Sequence, residues 1–172
     1  MRKIVIILVL VIATNPLLAQ IQAAKIIGKN GDNISVGYGG FFKLAYNLTT
    51  ASDVSAEVGA LIFPAKSNTV NNKGWGVIPL KAGYRYIVTG KNAGPYVEPQ
   101  VGYNIMGLTP ADKNFSGFVW GVGTGYQFKP LGIVKFDLGI RFESALYQGG
   151  TLNYVILRFA HSFRFGYKRF DE

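Results

Sequence analysis

The chain contains no cysteine and only one histidine, His161, among its 172 residues. Without cysteine, an exported domain cannot be held together by disulfides. A metal site would have one imidazole and scattered carboxylates to draw on, which is a poor ligand set. The sequence therefore predicts no metal and no cofactor, and any histidine-based acid–base chemistry would depend on His161 alone.

Long apolar runs are also scarce, and the clearest one stands at the start of the chain. Met1–Ala19 has a basic beginning, an apolar run over Ile4–Ala13, a break at Asn15-Pro16 and a final Leu-Leu-Ala. This order is typical of a secretory signal peptide cleaved after Ala19. A transmembrane anchor is the alternative, but the run is shorter than the ~20 residues that span a bilayer. We therefore expect residues 1–19 to be removed and residues 20–172 to form one domain.

Acidic residues are few: 9 Asp+Glu stand against 18 Lys+Arg, a formal net charge of +9. Such an excess can indicate a nucleic-acid partner. Here the basic residues are dispersed about one per segment, and an exported protein seldom meets nucleic acid. The expected counter-charge is lipopolysaccharide or an anionic membrane leaflet.

No helical periodicity follows the first segment; instead, apolar and polar residues alternate over stretches of about 11–15 residues. Within Val134–Glu143 one parity is charged or glycine and the other is apolar. Successive side chains of a strand point to opposite faces. Almost every segment shows this split, so the apolar faces have no second layer to pack against. Closing the sheet with charges inside and hydrocarbon outside predicts a transmembrane β-barrel.

Seven alternating segments are evident, and bacterial single-chain barrels have an even number of strands. The eighth is assigned to Gln20–Gly28, with a turn at Lys29–Asn33. The fold class is thus predicted to be all-β, an eight-stranded antiparallel up-and-down barrel. The other strands are expected at Ile34–Leu48, Val54–Pro64, Gly76–Val88, Pro95–Gly107, Gly117–Phe128, Ile133–Leu146 and Asn153–Gly166. The longer polar connections, Ala65–Trp75 and Leu108–Ser116, are expected to face the cell exterior.

The inward parity carries a set of seven basic and four acidic side chains. An eight-stranded barrel is just wide enough for side chains to fill it, and buried charges persist when they are paired. We therefore expect a salt-bridged plug, with the excess positive charge near the mouths or bound to an anion. The set is Lys43, Glu57, Lys81, Arg85, Glu98, Lys135, Asp137, Arg141, Glu143, Arg158 and Arg164.

Aromatic residues gather where strands meet the short turns, as in the interfacial girdle of a membrane barrel. They are Tyr46, Tyr86, Tyr126, Phe128, Phe136, Phe165 and Tyr167. Glycines Gly117, Gly121, Gly123 and Gly125 share the inward parity of one strand. They are expected to leave room for long side chains of the next strand rather than to bind a dinucleotide, because their spacing is wrong and no helix follows.

Three segments carry a family resemblance: Ile78–Tyr86, Tyr96–Tyr103 and Gly121–Phe128. In these segments the chain resembles the small outer-membrane β-barrel proteins of the OmpA/OmpX-like group, in the versions that are common in Bacteroidetes. The resemblance implies a Gram-negative outer-membrane location and biogenesis by the barrel-assembly machinery, which reads an aromatic near the C-terminus.

Four functions remain open. The leading one is a non-enzymatic barrel with a structural or surface-interaction role, whose surface partner the sequence does not name. A narrow conduit or binding barrel for a small or apolar solute is the main alternative, with Pro79 and Pro99 as hints of a lateral path. A lipid-modifying enzyme is disfavoured because Phe163 stands two residues after His161, whereas Ser162 has the inward parity. A soluble ligand-binding barrel would need the inverse alternation.

Overall fold

The computed structural model describes residues 19–28, 31, 34–66, 74–91, 93–109, 114–129, 134–147 and 150–163. Its eight antiparallel strands form one closed barrel in chain order, which confirms the predicted fold class. They are β1 (Ala19–Ile27), β2 (Gly37–Asn47), β3 (Ser52–Phe63), β4 (Gly74–Ile87), β5 (Gly94–Thr109), β6 (Asn114–Gln127), β7 (Val134–Tyr147) and β8 (Gly150–Phe163). In the part of the chain described, no helix is long and apolar enough to cross a membrane. The expected signal peptide, up to Leu18, lies outside the described residues.

The connections define two ends of the barrel. At the terminal end, where β1 begins and β8 ends, lie the connections 48–51, 88–93 and 128–133. At the loop end lie 28–36, 64–73, 110–113 and 148–149. The expected long loop Leu108–Ser116 is wrong in extent, because β5 and β6 stay paired as far as Gly107 and Asn114. Polar residues there belong to strands, so only 28–36 and 64–73 form longer connections.

The register of the strands fixes the tilt of the barrel. Pair partners followed once around the wall return to β5 ten residues beyond their starting point. With a rise of about 3.3 Å per residue and a spacing of about 4.8 Å between strands, this stagger tilts the strands by about 40°. The path runs from Tyr96 through Gly125, Gly139, Arg158, Gln22, Gly39, Leu61 and Val77 to Met106.

The two faces of the wall differ as the alternation predicts. Large apolar side chains on the outside are exposed, whereas the alternate positions are buried inside the barrel. Leu138 and Ile140 of β7, for example, are 46% and 51% exposed, and Arg141 is 3% exposed. The barrel therefore has its core inside and a continuous apolar surface outside.

Candidate functional site

The terminal half of the barrel interior is filled with ten buried charged side chains, five basic and five acidic. Nine belong to the set expected from the sequence. The tenth, Asp53, lies opposite Arg85 in the β3–β4 ladder. Arg164 and the side chain of Lys135 lie outside the described residues. The described interior is therefore balanced in charge rather than strongly positive. The ten are Lys43, Asp53, Glu57, Lys81, Arg85, Glu98, Asp137, Arg141, Glu143 and Arg158.

Glu98 of β5 is the centre of the first cluster of charges. Arg85 donates to its Oε2 from Nε at 2.9 Å and from Nη2 at 2.7 Å, and Arg158 donates to the same oxygen at 3.1 Å. Its other oxygen, Oε1, accepts from Lys43 Nζ and from Gln100 Nε2. Three cations thus surround one carboxylate that is 1% exposed.

Glu57 of β3 and Glu143 of β7 form the second cluster by sharing two cations. Lys81 Nζ lies 3.0 Å from an oxygen of Glu57 and 2.6 Å from an oxygen of Glu143. Arg141 binds Glu57 through Nη2 at 2.9 Å, and its Nε lies 2.6 Å from Glu143. The hydroxyl of Tyr154 donates to Glu143 at 2.7 Å. Removing either cation would leave both carboxylates short of positive charge.

Arg158 of β8 joins the two clusters across the lumen. Its Nη2 donates to Asp137 at 3.0 Å and to Glu98 at 3.1 Å, and its Nη1 lies 3.9 Å from Glu57. The same Nη2 donates to the hydroxyl of Tyr96 at 2.7 Å. One guanidinium therefore ties strands β3, β5, β7 and β8 together.

Tyr96 lies in a groove made by two glycines of the neighbouring strands. A Cβ built on Gly125 would stand 2.6 Å from the Tyr96 hydroxyl oxygen, and one on Gly139 would stand 2.4 Å from it. The ring supports the guanidinium of Arg85 at 4.2 Å from its centroid, and the hydroxyl donates to Asp137 at 3.1 Å. These glycines make room for a tyrosine two strands away from Gly139, whereas Gly121 and Gly123 adjoin Glu143 and Arg141 as expected.

Gly139→Ala is expected to destabilise the barrel by about 1–3 kcal/mol, because the new methyl group collides with the Tyr96 hydroxyl. Tyr96→Phe removes that oxygen, so the double variant Gly139→Ala/Tyr96→Phe should be less destabilised than the sum of the single changes. Reversible unfolding in detergent measures all three free energies. Simple additivity would show that the hydroxyl does not occupy the groove.

The loop half of the interior is apolar. The sequence had predicted a charged plug along the whole length of the interior. Toward the loop end the inward positions change from charged to apolar, as from Glu57 to Leu61 and Phe63 on β3. A hydrophobic cluster fills this half and completes the seal above the charges. It comprises Ala24, Ile26, Ile34, Phe41, Leu61, Phe63, Val77, Met106, Val119, Ala145, Leu152, Tyr154 and Ile156.

Three aromatic rings and one loop residue close the loop end. Trp75, Phe115 and Tyr147 pack on the cluster and contact one another with centroids 6.2–6.5 Å apart. Ile34, in the connection 28–36, is buried in the cluster, and its carbonyl oxygen accepts a hydrogen bond from Lys25 Nζ at 3.0 Å. Ile34 thus packs over the mouth of the barrel.

The described charged side chains pack closely around Tyr96 near the centre of the barrel. The gap beside Tyr96, Gly123, Gly139 and Arg141 is too small to hold a water molecule. Pro79 is buried and Pro99 is exposed. The β3–β4 ladder is interrupted at Pro79 and the β4–β5 ladder at Pro99, and each resumes in the same register two pairs further on. Among the described residues, no group of three or more His, Asp or Glu side chains is arranged to hold a metal ion.

The outer surface carries the aromatic residues expected beside the turns of the terminal end. Tyr46, Tyr86, Tyr126 and Phe128 are exposed, and Tyr126 packs edge-on against Phe128 at 5.3 Å between centroids. Phe136 is half-buried and stacks on Phe159. Phe165 and Tyr167 lie outside the described residues.

Sequence reasoning missed Asp53, the neutral polar residues of the lumen and the apolar half of the plug. Asp53 shares the parity of Glu57, and Tyr96 and Gln100 share the parity of Glu98. Parity along each strand was the available signal for all of them. Starting β3 at Val54 left Asp53 out, and attention to charge alone left out the inward apolar residues.

Comparisons with known proteins agree with this architecture. The fold is similar to that of Neisserial surface protein A, with a TM-score of 0.66 and 15% identity over 86% of this chain and 95% of that chain. It is also similar to Ail, the attachment invasion locus protein of Yersinia pestis, with a TM-score of 0.58 and 12% identity over 86% and 95%. Ail in complex with the heparin analogue sucrose octasulfate gives a TM-score of 0.51 at 13% identity, over 86% and 96%. No family model and no curated protein matches the sequence.

Proposed function

We propose that this chain is a non-enzymatic outer-membrane β-barrel whose role is structural or lies in contacts at its surface. The observation that carries the proposal is the inverted distribution of side chains. Exposed apolar residues surround the whole closed wall, while ten charged side chains are buried inside it. In water this arrangement would be unfavourable, because it would expose a large apolar surface. In a bilayer the same surface matches the lipid-facing band of a barrel.

The spacing of aromatic residues on the outer wall supports the same proposal. On β6, exposed Tyr126 stands eight residues from exposed Phe118, and on β2 exposed Tyr46 stands eight residues from exposed Tyr38. At about 3.3 Å per residue and about 40° of tilt, these pairs are separated by about 20 Å along the barrel axis. Aromatic girdles flank an apolar band of about 25 Å in known membrane barrels.

A filled barrel would act through its outer wall and its two ends, because the described side chains occupy its interior. The outer wall would contact lipid and lipopolysaccharide, and the barrel-assembly machinery would handle the chain during biogenesis. Exposed Lys66 near the loop end and exposed Lys91 and Lys129 at the terminal end offer positive charge to anionic headgroups. The name of Ail describes attachment and invasion, and a contact role at the cell surface is one such function for a closed barrel.

Fractionation tests the location. Expressed in a Gram-negative host, the protein should be recovered with the outer membrane and resist extraction by urea. Its mature N-terminus should be Gln20. Recovery in the soluble periplasm would contradict the proposal, and the barrel would then be a soluble ligand-binding protein.

Conductance tests the closed interior. The refolded protein in a planar bilayer should be electrically silent, because the charged half and the apolar half both fill the lumen. An open porin in the same bilayer serves as the positive control. Steady unit conductance would favour the conduit over the structural role.

A further inference from the structure

Three polar residues interrupt the apolar outer wall toward the loop end, on the adjacent strands β7, β8 and β1. Ser144 and Asn153 are direct partners in the β7–β8 ladder. Lys25 lies on the next strand, two residues from Ile27, which is the partner of Asn153 in the β8–β1 ladder. All three polar residues have the outward parity of their strands. They form a single surface feature, which we call the polar patch.

The register of the barrel gives the height of the polar patch. One residue along a tilted strand changes the height by about 2.5 Å, and a pair partner on the next strand in chain order lies about 3 Å nearer the loop end. The three polar residues therefore lie within about 3 Å of one another in height and about 20 Å above Tyr126 of the terminal end. The other five strands have exposed apolar or aromatic residues at this height: Tyr38, Ile62, Ile78, Tyr103 and Phe118.

Lys25 carries the positive charge of the polar patch. Its Nζ donates to the carbonyl oxygen of Ile34 at 3.0 Å, so the ammonium group extends toward the loop end while the side-chain carbons follow the wall. One such bond leaves two of the three N–H donors of an ammonium group for other acceptors. The five carboxylate side chains in the described part of the chain are all buried in the lumen, away from the outer wall. The ammonium group is therefore open to an anion that approaches from the membrane side.

The wall below the polar patch suits hydrocarbon. On β7, Phe142 and Ile140 stand between Ser144 and the terminal end. Trp120 of β6 is directly opposite Ser144, is 43% exposed and packs edge-on against Phe142. A ligand of this surface would have an anionic group at the polar patch and apolar chains beneath it. An anionic membrane lipid has its groups in that order.

We propose that the polar patch binds the phosphate group of an anionic lipid in the membrane leaflet at the loop end. Lys25 supplies the positive charge, and half-buried Asn153 offers an amide N–H donor beside it. Ser144, which is 6% exposed, forms the floor of the patch. The acyl chains of the lipid would lie along Trp120 and Phe142. This inference rests on the proposed membrane location and assigns a lipid class to one part of the wall.

Quenching of Trp120 fluorescence by brominated lipid tests the proposal. Trp75→Phe leaves Trp120 as the single tryptophan of the chain. The barrel is refolded in phosphatidylcholine vesicles that contain a small fraction of phosphatidylglycerol with brominated acyl chains. The anionic lipid should be enriched beside Trp120 about fivefold over its bulk fraction, because one lysine near anionic headgroups contributes about 1 kcal/mol. The same fraction of brominated phosphatidylcholine gives the level of quenching for random mixing.

Substitutions at the polar patch separate its charge from general effects of the bilayer. Lys25→Gln should lower the quenching by brominated phosphatidylglycerol to the random level, whereas Lys25→Arg should retain the enrichment. The matched control is Lys91→Gln, which removes the same charge at an exposed position of the terminal end and should leave the quenching unchanged. Millimolar inorganic phosphate should not compete, because it has no acyl chains to bind the wall below the patch.

Random-level quenching in the barrel that retains Lys25, or equal quenching after Lys25→Gln, would overturn the proposal. Displacement by inorganic phosphate would also overturn it and would indicate a site for the free ion. The same series in the chain that retains Trp75 shows that the result does not depend on the background substitution. A barrel that inserts and resists urea without enriching anionic lipid would leave the proposed function intact, whereas failure to insert would count against the function itself.

Discussion

Arg141→Ala is expected to lower the free energy of unfolding by about 3–5 kcal/mol, the range for removing one partner of a buried ion pair. Arg141 is 3% exposed, and it contacts Glu57 at 2.9 Å and Glu143 at 2.6 Å. Its loss leaves two buried carboxylates sharing Lys81. Reversible urea unfolding in lipid vesicles measures the change.

A second substitution separates the lost charge from the lost packing. Glu143→Ala added to Arg141→Ala restores the charge balance, so the double variant should be more stable than the sum of the two single effects predicts. Lys129→Ala, at an exposed position of a terminal-end turn, is the control and should change stability by less than about 0.5 kcal/mol. If Arg141→Ala were neutral, the charges in the lumen would be hydrated rather than mutually compensated.

The interior network also specifies the register of the barrel. A slip of one residue between two strands would turn every side chain of one strand to the other face. Arg158 would then point into lipid and its acceptors on β3, β5 and β7 would lose it. Uncompensated charge of this kind raises the free energy of the slipped state. This cost exceeds the free energy that the same ion pairs contribute to the correct register. We therefore expect the network to contribute to the uniqueness of the fold as well as to its stability.

Alternation along the strands was sufficient to predict seven of the strands and the two faces of the wall, and the even strand number of bacterial barrels supplied the eighth strand. The period of two belongs to the local backbone, and it is visible in segments such as Val134–Tyr147 without knowledge of any neighbour. Which charges meet across the lumen could not be predicted. Arg158 and Glu57 are brought within reach by the stagger between strands, and that stagger depends on all eight ladders together.

The apolar half of the lumen was missed for a related reason. Leu61 and Phe63 have the inward parity, but parity alone does not say at which height a residue lies. The tilt brings Phe63 of β3 against Tyr154 of β8, with ring centroids 5.9 Å apart. The exact ends of strands were also hard to place, because polar residues near the loop end remain paired where a loop was expected.

Ile140→Arg is expected to destabilise the barrel by about 2–4 kcal/mol, the range for a basic residue at the bilayer midplane. Ile140 is 51% exposed on the outer face of β7, about midway between the aromatic Phe136 and the polar Ser144. Leu146→Arg is the matched control: it is outward on the same strand and 46% exposed. Six residues along a strand tilted by about 40° raise it by about 15 Å, so its cost should fall to about 0–1 kcal/mol.

Ile140 and Arg141 are adjacent on β7, so an arginine at either position lies at nearly the same depth but on opposite faces of the wall. The same guanidinium should stabilise the barrel at position 141, where carboxylates surround it, and destabilise it at position 140, where lipid would surround it. Unfolding in vesicles measures both variants under one condition. If Ile140→Arg were tolerated as well as Leu146→Arg, the outer wall would be in water at that depth. The exposed apolar band would then need a protein partner rather than a membrane.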